Sequence, residues 1–532
     1  MALLAVTMTV GCSQLPLPEA DLSPPGTTPP GSGPTAMGEL PATWTPAPTR
    51  APSLTSTPQP TSVPSQTPSR TTEPAQTLAG TAAPEPTFQL QEQELSRGGP
   101  WLVYRNADGY LVAIDQDGPG RKIISREDSP DKLVADICNF PSYISAAPTG
   151  GLVAFRTALG DNNLKLNIVH LPDGDLIKSI PLLSAENQGD LIAGVASSLA
   201  WSPSGRYLAF VGGSEGPSPD LYVYDSQLDA VERLTDGPNS AGQLHWSPDG
   251  TWIVHEEITQ FPCMRPGRRK ATAVWAAAAD GSEVIKLYDF PPEATYQYFL
   301  GWMTAERFLV GFFNPYDPFE NKAYLLDISD AGYATLPYQQ FSDIAFSPGE
   351  NTVLFTITGD ERPQVLDPGL YLADLPEGDP VLISSDSGYP VWYPELDRFL
   401  VSDGNRTRLV APRGDLKAVI NGFGPWVYPS PDGAYFGAVA DGYQNNPGVR
   451  IFSRSGGMIR EIVFEHYQNH HPYDLFWLPD GTGFFLRGNE SGGPGFDLYR
   501  VGGLEQEPVL VANDFAGGSF PGPYPDAVWV KK

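Results

Sequence analysis

Four cations fall within six residues, Arg265, Arg268, Arg269 and Lys270, in a chain whose formal net charge is −29. Guanidinium and ammonium groups that close can clamp a carboxylate, a phosphate or an acidic glycan. They can equally be a solvated segment paired with neighbouring acids. Three imidazoles, His466, His470 and His471, also stand together. His466 and His470 have the spacing that puts two ligands on one helix face, but Pro472 opposes a helix there. No carboxylate spacing completes a metal site, so no metal is expected. Asp115-Gln116-Asp117-Gly118 has the opening of a calcium loop without its remainder, and a hairpin turn accounts for it. The chain has no GxSxG elbow and no glycine-rich phosphate cradle at a strand–helix junction. No catalytic residue and no cofactor is therefore assigned. A pair of acids for glycosidic chemistry can be hidden among the 62 Asp and Glu, and sequence alone cannot pair them.

The charge is not evenly spread. Residues 13–97 carry −4 and residues 98–532 carry −25. A surface that acidic repels phosphate backbones and anionic lipid heads, which argues against nucleic acid and against direct adsorption to a membrane. From Ser13 to about Gln93 the chain is mainly Pro, Thr, Ser and Ala, with runs such as TPAPTRAPSLTSTPQPTSVPSQTPSRTTEPAQT. Apolar residues there are too sparse to offset the entropy of ordering, so a disordered, extended linker is expected over 13–97.

The elements that must position the candidate residues come from a repeat. SLAWSPSGRYLAFVGG begins at Ser198, QLHWSPDGTWIVHEE at Gln243 and DIAFSPGENTVLFTIT at Asp343. PVWYPELDRFLVSD follows at Pro390, WVYPSPDGAYFGAVADG at Trp426 and LFWLPDGTGFFLRG at Leu475. Degenerate copies start at Tyr143 and Phe299. Each unit reads as a short strand, a Pro-Asp-Gly turn and three more strands. Pro presets φ, Asp caps its own turn and Gly takes the left-handed position. The aromatic before the turn (Trp201, Trp246, Phe346, Trp392, Trp477) is placed to fill the wedge between neighbouring sheets. Four antiparallel strands per ~45 residues is the period of a propeller blade.

These WSPDG-type repeats resemble those of the TolB propeller family, whose motif also occurs in propeller domains of prolyl oligopeptidase-like peptidases. The resemblance implies an all-β fold over 98–532, a single β-propeller of about eight blades, seven to nine being allowed. The strands after Trp101 lack a first partner, and YPDAVWVKK ends the chain as a lone strand. Joining them would close the ring and remove the open edge. With no GxSxG elbow among these residues, the catalytic half of the peptidase branch is not expected.

In propellers of this kind the connection into each blade and the one between its second and third strands share a face. That face is expected to carry Arg265, Arg268, Arg269, Lys270, Tyr316, Phe319, Tyr443, Asn489, His466, His470 and His471. Long connections are where binding residues concentrate. Cys138 and Cys263 map to the same face and could be joined in an oxidising compartment.

Residues 2–10 read ALLAVTMTV and are followed by Gly11-Cys12. This resembles the lipobox of bacterial lipoproteins, with Thr9 where Leu is usual. The resemblance implies a signal peptide over 1–12, acylation of Cys12, and attachment through lipid to the outer face of the cytoplasmic membrane. Ser13 would permit the outer membrane in a double-membrane cell. Two functions fit: a monomeric, non-enzymatic envelope module that binds a protein or glycan, or an exported glycan-active hydrolase or lyase with carboxylates and His at the propeller funnel.

Overall fold

The computed structural model describes residues 91–532 apart from 118, 126–131, 134–143, 159–163, 184–198, 216–217, 261–269, 291–295, 314–319, 360–365, 404–405, 422–426, 440–447, 464–473, 489–494 and 517–526. The elements of this region are β-strands in nine antiparallel sheets, the blades of one β-propeller. Blades 2 to 9 span 132–181, 199–233, 240–289, 296–339, 343–384, 389–421, 427–463 and 475–515. Blade 1 is shared by the two ends of the domain. Its strands Trp101–Arg105, Leu111–Asp115 and Arg121–Ile123 are completed by Ala527–Val530. Trp101 pairs with Val530 and Tyr104 with Ala527, so the ring closes as the sequence predicts. The count of nine sits at the top of the expected range, because the degenerate units at Tyr143 and Phe299 each build a complete blade.

The turn chemistry explains why these residues fold this way. In blade 4, Ser247 Oγ donates to Asp249 Oδ1 at 2.6 Å, and the same oxygen accepts from Thr251 N at 3.1 Å. Gly250 sits at φ +75° and donates to the Ser247 carbonyl. Blade 8 repeats the arrangement with Ser430, Asp432 and Gly433. A turn that closes on itself fixes the register of the two strands it joins.

The core is not one mass. Nine apolar clusters lie one to each seam between neighbouring blades. Three of the motif tryptophans stitch their seams. Trp201 Nε1 donates to the Ser145 carbonyl (3.1 Å), Trp246 Nε1 to Ala200 (2.9 Å) and Trp477 Nε1 to Tyr428 (2.8 Å). In each case the acceptor immediately precedes the equivalent aromatic position of the blade before. At the rim, polar side chains tie a blade to the next one's turn: Lys178 to Asp229, Arg460 to the Leu504 and Gln506 carbonyls, and Arg500 to the Gln116 carbonyl.

Candidate functional site

Antiparallel pairing sends the turns between first and second strands, and between third and fourth, to one end of every blade. Those turns are four to seven residues long. The other connections leave from the opposite end and run to seventeen residues, as in 182–198. The strands flanking the segments that hold the sequence-predicted residues all end there: Trp252–Gln260 and Lys270–Ala278, Arg307–Phe313 and Lys322–Asp327, Tyr435–Val439 and Gly448–Ser453, Phe484–Gly488 and Phe496–Val501. Lys270 opens the third strand of blade 4. Arg265, Arg268, Arg269, Tyr316, Phe319, Tyr443, His466, His470, His471 and Asn489 lie outside the described residues, as do Cys12, Cys138 and Cys263.

Within the described residues the inner strands are irregular at the seam between blades 4 and 5. The inner strands shift register at Gly242/His245 and at Phe299/Gly301. Gln243 takes φ +41° and Gly301 φ +148°, a value only glycine adopts readily. By the pattern of the Trp201, Trp246 and Trp477 seams, Trp302 should donate to the His245 carbonyl. Its Nε1, like that of Trp392, instead has no hydrogen-bond partner. A narrow pit opens at the seam, lined by Gln243, His245, Val254, His255, Glu256, Val274, Phe299 and Val310. His245 stacks on Phe299 with ring centres 4.1 Å apart. His255 is buried, and its Nδ1 lies 3.1 Å from the Glu256 carbonyl. Nδ1 therefore carries the proton and Nε2, which has no partner, is left as an acceptor. Burial pushes the His255 pKa down to about 4, against the opposing charge of Glu257. A neutral imidazole in an apolar pit can accept a hydrogen bond; it does not serve as an acid near pH 7.

The buried acids are mostly committed to holding strands together. Asp474 pairs with Arg487 at 2.7 Å and accepts from Tyr428 Oη. Asp514 pairs with Arg121 at 2.6 Å and accepts from Tyr104 Oη and Asn106 Nδ2. Asp220 binds Arg233 and Thr235, and Asp225 binds Arg206. Desolvation raises the Asp220 pKa against its partners, whereas the Arg206 hydrogen bonds hold Asp225 down. Asp343 differs. It begins the inner strand of blade 6, at the repeat position that Asp474 fills in blade 9, and burial pushes its pKa up to about 7, opposed by a hydrogen bond from Ser342. Its cross-strand neighbour is Thr356, where blade 9 has Arg487. Among the described residues no three His, Cys, Asp or Glu are grouped to hold a metal ion.

The repeats made Asp343 and Asp474 findable, since both stand three residues before the motif aromatic. His255 had no such signal, being one of several polar residues, with Glu256 and Glu257, in the second strand of blade 4.

These features define a β-propeller with one elaborated end. No family model matches the chain. It is similar in structure to a eukaryotic initiation factor, at a TM-score of 0.51 and 12% identity over 82% of this chain and 98% of that one, which supports the fold. TolB from Acinetobacter baumannii aligns at a TM-score of 0.28 and 14% identity, over 70% of this chain and 66% of that one, too slight a likeness to carry anything further. In sequence, 54 residues are 41% identical to the uncharacterized peptidase YuxL of Bacillus subtilis (strain 168). That match spans 10% of this chain and 8% of the relative's length.

Proposed function

We propose that this protein is a non-enzymatic binding module of a bacterial envelope, anchored through lipid on Cys12 and raised on the linker 13–97. On this reading the end of the propeller bearing the long connections engages a protein or glycan. The observation that carries it is the asymmetry of the ring: one end is built of short self-closing turns, and all the longer chain is spent on the other. Keeping one rim short and spending longer connections on the opposite one gives a propeller a surface on which recognition residues can be carried. The pairing of Asp220, Asp225, Asp474 and Asp514 with arginines supports a structural use of the buried acids. Arg265, Arg268, Arg269 and Lys270 suit an acidic partner, and Tyr316, Phe319 and Tyr443 suit stacking on a sugar or an apolar side chain.

The test is a glycan array and a crosslinking screen against envelope proteins, run with the purified chain and with Arg268→Glu/Arg269→Glu. Binding that the double variant loses supports the reading; binding that ignores it moves the surface elsewhere. A second reading, a glycan-active enzyme, draws on Asp343. A carboxyl protonated near neutrality suits a general acid. Turnover of any arrayed glycan, abolished by Asp343→Asn, would replace the binding reading with this one.

A further inference from the structure

The fourth strand of every blade leaves a backbone edge facing away from its sheet. In blade 1 that edge is occupied by the chain itself. Gln93 N donates to the Arg121 carbonyl at 2.9 Å, and Arg121 N donates to the Gln93 carbonyl at 3.0 Å, an antiparallel bridge. Leu95, two residues on, is buried. The lead-in segment thus displays, at one bridged pair, what an outer edge of this ring accepts: a main-chain partner running antiparallel.

The other outer edges carry the guards that natural sheets place against such additions. Asp175–Pro181 holds Lys178, Ala230–Arg233 holds Glu232 and Arg233, and Val284–Asp289 holds Lys286. Leu416–Asn421 holds Lys417, Met458–Val463 holds Arg460 and Glu461, Val509–Phe515 holds Asp514, and Gly332–Gln339 holds Pro337. The fourth strand of blade 6, Val381–Ser384, is the one without a charge or a proline of its own; its guards are a register shift opposite Leu370/Tyr371 and Arg408 of blade 7, which donates to Ser384 Oγ at 3.1 Å. Val381 is 60% exposed and Leu382 51% exposed. Ile383 is steadied from the next blade, since a Cβ on Gly414 would come 2.8 Å from its Cδ1.

We propose that the outer edge of Val381–Ser384 is a docking strand for an extended segment of a partner protein, added antiparallel. Main-chain hydrogen bonds supply the attachment, and apolar side chains at alternate positions of the partner cover Val381 or Leu382. The −25 charge of residues 98–532 favours a segment with basic flanks. A second copy is the poorer occupant. Four residues paired with themselves bury far less than the roughly 1,000 Å² that a stable dimer needs, whereas a single added strand suits a reversible contact. This edge is separate from the long connections, so it stands or falls independently of the function proposed above.

The test pans a displayed random-peptide library on the whole chain. The enriched sequences are then made as synthetic peptides and titrated by fluorescence anisotropy against wild type, Val381→Lys, Leu382→Lys and the control Val509→Lys. Expected are peptides with alternating apolar residues that bind wild type and V509K alike. They weaken about ten-fold or more on V381K or L382K, and they slow hydrogen exchange at the amides of 381–384. Three results overturn the proposal: no enrichment, enriched peptides that bind both blade 6 variants as tightly as wild type, or a dimer in sedimentation equilibrium that V381K dissolves.

Discussion

Asp343 and His255 bear pKa shifts of opposite consequence. With its pKa pushed up to about 7, Asp343 keeps its proton in the fold between about pH 4 and 7, where the unfolded chain has lost it. Its contribution to stability therefore falls as pH rises through that window. His255, held down at about 4, stays neutral in the fold while the unfolded chain takes up a proton below about pH 6.5, so its contribution falls as pH drops. Replacing Asp343 by Asn removes only the first. Urea unfolding at pH 4.5, 6 and 8 is expected to show the variant gaining on wild type as pH rises, by roughly 1–3 kcal/mol in all. A difference constant across the three pH values would mean that the carboxyl is ionised in the fold. Sequence reading reached the position of Asp343 through the repeat but not its protonation, which depends on Thr356 standing where blade 9 supplies an arginine.

At the scale of elements, the self-closing turn and the tryptophan stitch are separable. Gly433 has φ +65°, and a Cβ there would strike the Glu395 carbonyl oxygen of the preceding blade. Gly433→Ala is expected to cost more than about 3 kcal/mol or to prevent folding, while Gly349→Ala, with open space around it, is expected within about 0.5 kcal/mol of wild type. Thermal unfolding of the pair decides it, and equal losses would refute the steric account. Trp246→Phe removes the indole bond to the Ala200 carbonyl and is expected to cost about 1–3 kcal/mol beyond the change in packing. Trp302→Phe breaks no such bond and should lack that increment. Turn, aromatic and strand pattern were all legible, because Pro-Asp-Gly chemistry and the aromatic wedge act within one repeat. The bulges at Gly242/His245 and Phe299/Gly301 were not, since each answers to the other across a seam. Nor was the division of the first strand of blade 2 into Lys132–Leu133 and Ile144–Ala146.

At the scale of the molecule, stability is shared among nine seams, and ring closure decides whether they act together. Tyr104 and Asn106 meet Asp514 across more than four hundred residues, a contact no local pattern announces. Closure itself was legible, because an unpartnered strand at each end of a repeat array has one economical solution. Deleting 527–532 removes the pairing of Trp101–Tyr104 with Ala527–Val530 and the Gly151 bond to the Lys531 carbonyl. A melting temperature lower by roughly 5–10 °C is expected, together with oligomers through the bared Trp101–Arg105 edge. A monomer that melts with wild type would make the closing strand dispensable. The lead-in segment adds a mechanical aspect. Gln93 is bridged to Arg121, Arg121 is paired with Asp514 of blade 9, and Lys532 Nζ reaches the Arg97 carbonyl. Tension applied at Gln93 is delivered to the one blade made of both ends, so the bridge at Gln93 stands ahead of the ring's clasp in that load path.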